Sequence, residues 1–263
     1  MYEAQRDACL AAADLGGAIL LKYFRHLEPG SVCEKTKNDY VSTADKEAEA
    51  AIRKELEFRF PQYGFLGEEG GASGDPGRRW IVDPLDGTLN FVQGFPHWCV
   101  SVALWDAEGP VTGCVLDPLK GDCFEATRGM GAFWNGRPMR VSQQAGLDGA
   151  FLAVGFAFQL GDRFPRFLEA FTRVFPRAKG LRRAGAAALD LAHTAAGIFD
   201  GFFEMGLKPW DVAAGALLVT EAGGRISDWE GGETWFEGGS VVAGTPGVLT
   251  DLVGELSAPP MRS

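Results

Sequence analysis

Between Ala4 and Phe24 the apolar residues Ala8, Ala11, Leu15, Ala18, Ile19 and Phe24 recur at steps of three and four, the period of an amphipathic helix. The breaker cluster Glu28-Pro29-Gly30 ends it. A polar stretch, Glu34 to Asp39, leads to Ser42-Thr43-Ala44-Asp45, where a hydroxyl precedes a carboxylate by three residues, as in a capping box. A second helix is therefore predicted over 43–59, stopping before Pro61. The pattern then shortens to apolar runs at Gly64-Phe65-Leu66, Trp80-Ile81-Val82, Cys99 to Trp105, Val111 to Leu116 and Cys123 to Ala126. With glycine-rich turns between them, these predict an antiparallel meander.

Past residue 150 the rhythm changes. Strand Phe151 to Gly155, a helix over 161–175, a strand near 180, a helix over 186–196, strand Phe199 to Glu204 and a helix over 210–222 alternate, as in an α/β unit. The fold class predicted is thus mixed, α+β joined to α/β. The seam falls near Ser142 to Gly149, dividing the chain into an N-terminal half, 1–145, and a C-terminal half, 146–263. No long linker marks it, so the halves are expected to share an interface and act as one unit. The tail from Ser257 to Ser263 carries two prolines and is expected to fray.

Composition narrows the classes. With 46% hydrophobic and 23% charged residues, the chain is globular rather than disordered, collagen-like or coiled-coil. No apolar run approaches the roughly 20 residues of a membrane span. Glu3, Arg6, Asp7 and Asp14 interrupt the first helix, unlike a signal peptide, so a cytoplasmic location is expected. Asp and Glu number 35 against 25 Lys and Arg, for a net charge of −10, the wrong sign for backbone-driven nucleic-acid binding. Cys9, Cys33, Cys99, Cys114 and Cys123 are odd in number and contain no C-x-x-C, which indicates reduced thiols rather than a disulfide framework or a zinc cluster. The three histidines, His26, His97 and His193, form no H-E-x-x-H. Chemistry here must run on carboxylates.

The informative segment is Trp80-Ile81-Val82-Asp83-Pro84-Leu85-Asp86-Gly87-Thr88-Leu89-Asn90-Phe91. An apolar strand delivers two carboxylates three residues apart, then Gly-Thr. Asp83 and Asp86 could meet one cation, with Gly87 allowing close approach of the backbone and Thr88 offering a hydroxyl. The same pattern also fits an Asx-type turn with capping aspartates. Further carboxylates stand at Glu68-Glu69, between glycines at the end of a predicted strand, and at Asp211, which follows Pro209-Trp210 at a predicted helix start. Glu204 follows the apolar Phe202-Phe203, an odd place for a charge unless something binds it. His97 reads as packing, and Gly129-x-Gly131 lacks the rest of a dinucleotide fingerprint.

Taken together, these blocks resemble the inositol monophosphatase family of magnesium-dependent, lithium-sensitive phosphatases. The resemblance rests on Gly67-Glu68-Glu69, on Asp83 through Phe91, and on Trp210-Asp211-Val212-Ala213-Ala214-Gly215 continuing to Glu221-Ala222-Gly223-Gly224. Weaker echoes lie at Asp39 to Asp45, Gly129 to Gly136 and Arg183 to Asp190, so that it spans about 3–255.

What it implies is a layered αβαβα sandwich, usually a homodimer, binding two or three Mg²⁺ per active site. Glu68, Asp83 and the Leu85 carbonyl would hold one ion. Asp83, Asp86 and Asp211 would hold a second, and a weaker third would sit near Glu68. The implied reaction is hydrolysis of a small-molecule phosphate monoester, foremost inositol monophosphate, by a metal-activated water. Glu68 and Thr88 would orient that water, Asp45 supporting Thr88, while Gly87 and Thr88 cradle the phosphate. Substrate contacts would come from Asp86, Ala187, Glu204 and Asp211. Ala186 departs from the family pattern, which commonly has serine or threonine there; this puts specificity in doubt but touches no implied metal ligand. Fructose-1,6-bisphosphate, 3′-phosphoadenosine 5′-phosphate and histidinol phosphate are alternative substrates on the same scaffold, a bisphosphate calling for basic residues such as Arg182-Arg183 facing the pocket. A different class is a regulatory binding protein, since bacterial relatives can join transcription complexes while retaining this fold.

Overall fold

The computed structural model describes residues 2–28, 30–36, 39–156 and 161–258. It begins with α1 (Glu3–Tyr23), the hairpin β1 (Val32–Thr36) and β2 (Asp39–Ser42), and α2 (Thr43–Arg59). Next come β3 (Gly64–Gly67), β4 (Gly71–Ser73), β5 (Arg79–Asp86), the short α3 (Thr88–Val92), β6 (Cys99–Asp106), β7 (Gly109–Asp117), β8 (Asp122–Thr127), β9 (Ala132–Trp134) and β10 (Arg137–Met139). The remainder is β11 (Phe151–Phe156), α4 (Phe164–Val174), β12 (Gly180–Arg182), α5 (Ala187–Ala195), β13 (Gly201–Met205), α6 (Pro209–Glu221), β14 (Arg225–Ser227), α7 (Trp235–Gly238), β15 (Ser240–Gly244) and α8 (Pro246–Leu256). The two long helices and the five apolar runs fall where the periodicity predicts. The polar stretch before Ser42 contains the β1–β2 hairpin, whose alternation is too short to read. The tail expected to fray lies beyond residue 258, outside the described residues, except for its first two positions.

Eight strands form one sheet in the order β10-β9-β8-β7-β6-β5-β3-β4, and five form another in the order β12-β11-β13-β15-β14. The meander from β5 to β10 is antiparallel, as predicted, but β3 joins β5 in parallel. In the smaller sheet β11 pairs in parallel with β12 and β13, while β15 runs antiparallel between β13 and β14. Each sheet ends in strands of three residues: β4 and β10 on the larger, β12 and β14 on the smaller.

Helices α1 and α2 pack on one face of the larger sheet, and α5 and α6 lie between the two sheets. Helices α4 and α8 pair on the far side, with α8 against the smaller sheet. This is the αβαβα sandwich. The middle core explains why α6 lacks a polar face: Val212 through Val219 are all buried, since a helix covered by sheets on two sides is apolar all round. That core joins Ile81, Cys99, Val115 and Phe124 from before the seam to Leu189, Phe202, Leu217 and Val241 from after it.

Candidate active site

Strand β5 carries the centre of the site. Its ladder with β6 is regular from Arg79 to Asp83 and then shifts before Asp86. The shift falls on Pro84, which has no N–H to donate to the ladder. Asp83 Oδ1 accepts from Leu85 N at 2.9 Å, closing the turn that sets Asp83 and Asp86 near one another. Gly87 follows with φ of +88°. A Cβ there would lie 3.1 Å from the His97 carbonyl oxygen and 3.2 Å from Ala186 Cβ, so both conformation and space require glycine.

Neighbouring elements supply the rest. The parallel register Gly67↔Val82 and the bond from Glu68 N to Val82 O, 3.2 Å, put Glu68 beside the end of β5. Asp211 lies in the first turn of α6, where its Oδ2 accepts from Lys208 N at 2.7 Å. At the start of α2, Ser42 N donates to Asp45 Oδ2 at 2.9 Å, and Ala44 N donates to Ser42 Oγ at 3.1 Å, as the capping-box pattern predicts. The other oxygen, Asp45 Oδ1, accepts from Thr88 Oγ1 at 3.3 Å, while the same hydroxyl lies 3.0 Å from Leu85 O. Asp45, Leu85 and Thr88 are therefore brought together.

Asp86 does two things. Its Oδ2 accepts from Ala188 N at 2.7 Å, in the first turn of α5, whose cap residue, Ala186, has no side-chain oxygen. A carboxylate from β5 thus replaces the missing cap hydroxyl, and the same bond brings Ala187 to the site. Glu204 enters from β13 opposite Gly155. A Cβ on Gly155 would stand 2.0 Å from Glu204 Oε2, so the glycine makes room for the carboxylate.

The electrostatics tie these groups into one cluster. Burial raises the Asp83 carboxyl well above its usual range, and Glu68, Asp86 and Asp211 add repulsion. Burial likewise raises Asp211, with repulsion from Asp86 and Glu68, and pushes Asp86 up to about 6. Glu204 is raised by burial and by Asp190, Asp211 and Asp86, with Arg183 opposing. Among the described residues no Lys or Arg forms an ion pair with Asp83, Asp86 or Asp211, and no three His, Cys, Asp or Glu side chains stand as a ready-made metal cage. The hydrogen bonds of these three aspartates fall on a single oxygen each, Asp83 Oδ1, Asp86 Oδ2 and Asp211 Oδ2. Buried, mutually repelling hard oxygens of this kind fit Mg²⁺, which takes a few carboxylates and keeps several waters.

Two residues lay beyond the sequence reading. Glu49 of α2 accepts from Glu69 N at 2.9 Å and so anchors the Glu68-Glu69 turn; in a helix rich in Glu and Lys nothing distinguishes it. Asp190 is buried, with Oδ1 3.6 Å from His97 Nε2; the signal for it was a lone charge within the apolar Ala186 to Ala192. His97 thus packs against the site rather than merely near it. Of the two arginines, Arg182 stacks over Phe151 at 4.9 Å, whereas Arg183 lies close enough to Asp190 and Glu204 to oppose part of the rise that burial gives both carboxyls.

A five-layer sandwich with a carboxylate pocket where β3, β5 and α6 meet defines the class of layered sugar-phosphatase folds. The chain belongs to the inositol monophosphatase family, whose sequence model matches residues 3–258. It is 44% identical over 244 residues to the Nus factor SuhB of Pseudomonas aeruginosa, covering 90% of each chain. To the Nus factor SuhB of Escherichia coli it is 40% identical over 252 residues, covering 95% of this chain and 94% of that one. Among solved structures it is similar to the extragenic suppressor protein suhB of Bartonella henselae, with a TM-score of 0.93, 39% identity and coverage of 97% and 98%. An inositol monophosphatase from Anabaena superposes with a TM-score of 0.87 at 34% identity, covering 97% and 96%.

Proposed function

We propose that this chain is a magnesium-dependent phosphatase of small phosphate monoesters, with inositol monophosphate as its foremost substrate. The observation that carries the reading is the set of carboxylates Glu68, Asp83, Asp86 and Asp211, gathered from three segments and repelling one another. Glu68, Asp83 and the Leu85 carbonyl would hold one Mg²⁺, and Asp83, Asp86 and Asp211 a second, with a weaker third near Glu68. Bound Mg²⁺ would supply an activated water and neutralise charge developing on the phosphoryl oxygens.

The chain's own groups would do the rest. The backbone at Gly87 and Thr88 would receive the phosphate. Thr88 and Glu68 would orient the attacking water, with Asp45 as acceptor for the Thr88 hydroxyl. Glu204, Asp86 and the backbone at Ala187 would take the substrate hydroxyls, and Asp211 would border the leaving alkoxide. As a member of a family of soluble phosphatases, the protein is proposed to act in the cytoplasm as a homodimer. The test is phosphate release from inositol 1-phosphate, fructose 1,6-bisphosphate, 3′-phosphoadenosine 5′-phosphate and histidinol phosphate, each with Mg²⁺ and with EDTA. Magnesium-dependent release led by inositol 1-phosphate is expected; no release from any of them would overturn the proposal.

Two observations favour second readings. The position of Arg183 beside Glu204 and Asp190 favours a substrate with an additional anionic group, which the fructose 1,6-bisphosphate arm addresses. The relatives named Nus factors favour a regulatory binding role, in which cellular function would survive Asp83→Asn and Asp211→Asn while turnover is lost.

A further inference from the structure

Two thiols meet on the face of the larger sheet that packs against α1, the face opposite α6. Cys114 of β7 and Cys123 of β8 are diagonal neighbours: Cys114 stands opposite Glu125, and Cys123 opposite Leu116. Their sulfurs are 3.6 Å apart. Cys114 is buried and Cys123 is partly exposed. Beside them Arg6 of α1 grips Glu125, its Nε 2.6 Å from Oε2 and its Nη2 2.7 Å from Oε1. The third cysteine of this region, Cys9, lies close to the pair, but its sulfur donates to Val102 O at 3.2 Å.

We propose that Cys114 and Cys123 form a hydroperoxide-reactive dithiol that closes to a disulfide, a modification site separate from the carboxylate pocket. The sulfurs are already in contact on adjacent strands, and side-chain rotation together with a shift of the strand backbones would bring them toward the roughly 2.05 Å of a disulfide. The division of labour follows from the pair itself. Either thiol can donate across this contact; sharing a proton with Cys114 holds Cys123 below the ordinary thiol range, and Arg6 helps against burial and Glu125. Cys114, sharing its proton and buried, is held well above that range. Cys123, the more exposed of the two and the one a peroxide can reach, is the attacking sulfur.

The chemistry balances. The Cys123 sulfur attacks one oxygen of a hydroperoxide; the O–O bond breaks, a sulfenic acid forms, and the departing oxygen leaves as water or alcohol. The Cys114 sulfur then attacks the sulfenic sulfur; the S–S bond forms, the S–O bond breaks, and the hydroxide leaves as water with the Cys114 proton. Two thiols lose two electrons and two protons, and one peroxide is reduced.

The test treats the native, full-length protein with hydrogen peroxide, blocks remaining thiols after denaturation, and maps peptides by mass. The expected result is a fall from the five thiols of the chain to three, a mass loss of about 2 Da, one linkage joining Cys114 to Cys123, and full reversal by dithiothreitol. Cys33→Ser, at an exposed position, is expected to leave the linkage intact. Cys114→Ser is expected to replace it with stepwise oxygen addition at Cys123. Retention of all five thiols, or a disulfide through Cys9 or Cys33 instead, would overturn the proposal, and both are read on the unmutated protein.

Discussion

Replacing Asp83 by Asn separates the cost of the carboxylate cluster from its use. Asp83 is 2% exposed and faces three other carboxylates, while its Oδ1 accepts from Leu85 N, a bond that an amide oxygen can keep. The scale comes from its neighbour. A carboxyl moved from 3.8 to about 6, as for Asp86, is comfortable in the fold only when protonated. Stability is then present below the unfolded value and lost as pH rises through about 6, amounting to about 3 kcal/mol at neutral pH. Removing one charge from such a cluster relieves part of a cost of this kind, so Asp83→Asn is expected to raise the Tm of the EDTA-treated protein. With Mg²⁺ the order reverses. At a hundredfold excess over Kd, each occupied site would add about 2.7 kcal/mol to the native protein, and the variant, lacking the carboxylate proposed to serve both ions, is expected to forfeit most of this and several orders of magnitude in turnover. Thermal unfolding of both proteins in EDTA and across a Mg²⁺ titration reads both effects. A Tm for the variant in EDTA at or below the native value, or an undiminished Mg²⁺ shift, would refute the reasoning.

Gly87→Ala is expected to cost about 1 to 2 kcal/mol from the left-handed conformation alone, with added displacement of the turn against the His97 carbonyl; the urea midpoint and turnover should fall together. Glu49→Ala leaves the Glu69 amide without its acceptor and is expected to raise the Mg²⁺ concentration for half-maximal activity about 10- to 100-fold, with turnover near native at saturating Mg²⁺. His193, packed edge-on against Phe124 and Phe199, is pushed down to about 4 by burial and by His97. The fold keeps it neutral, so its contribution is complete above about 6.5 and declines by up to about 3 kcal/mol as pH falls toward 4. His193→Phe should flatten that acid limb in urea unfolding at pH 7.5 and 5.0.

Much of this architecture was legible because long periodic segments carry their own signal. Helices α1, α2 and α6 and strands β6 to β8 follow from apolar spacing, and Asp45, Asp83, Asp86 and Asp211 stand at element ends where a charge needs a reason. The parallel pairing of β3 with β5 was not legible, since strand direction depends on the crossover rather than on either strand's residues. Nor was the insertion of β15 between β13 and β14. The anchoring of Glu69 by Glu49 and the capping of α5 by Asp86 join residues 20 and 102 positions apart. No local rule connects them. In the second case the absence of a hydroxyl at Ala186 was visible, but its remedy was not.

The short border strands of both sheets bear on how copies of this chain can meet. A long, flat border invites intermolecular strand addition, the first step towards fibres. The four borders of the two larger sheets offer only three residues each, and β10 includes Pro138, β12 ends in Arg182, and β14 begins with Arg225. Proline withholds a donor, and the arginines would have to shed water to be covered. Copies of this chain that meet at either of these two sheets are therefore expected to do so through side-chain surfaces, leaving the hydrogen-bonded ladders of each self-contained.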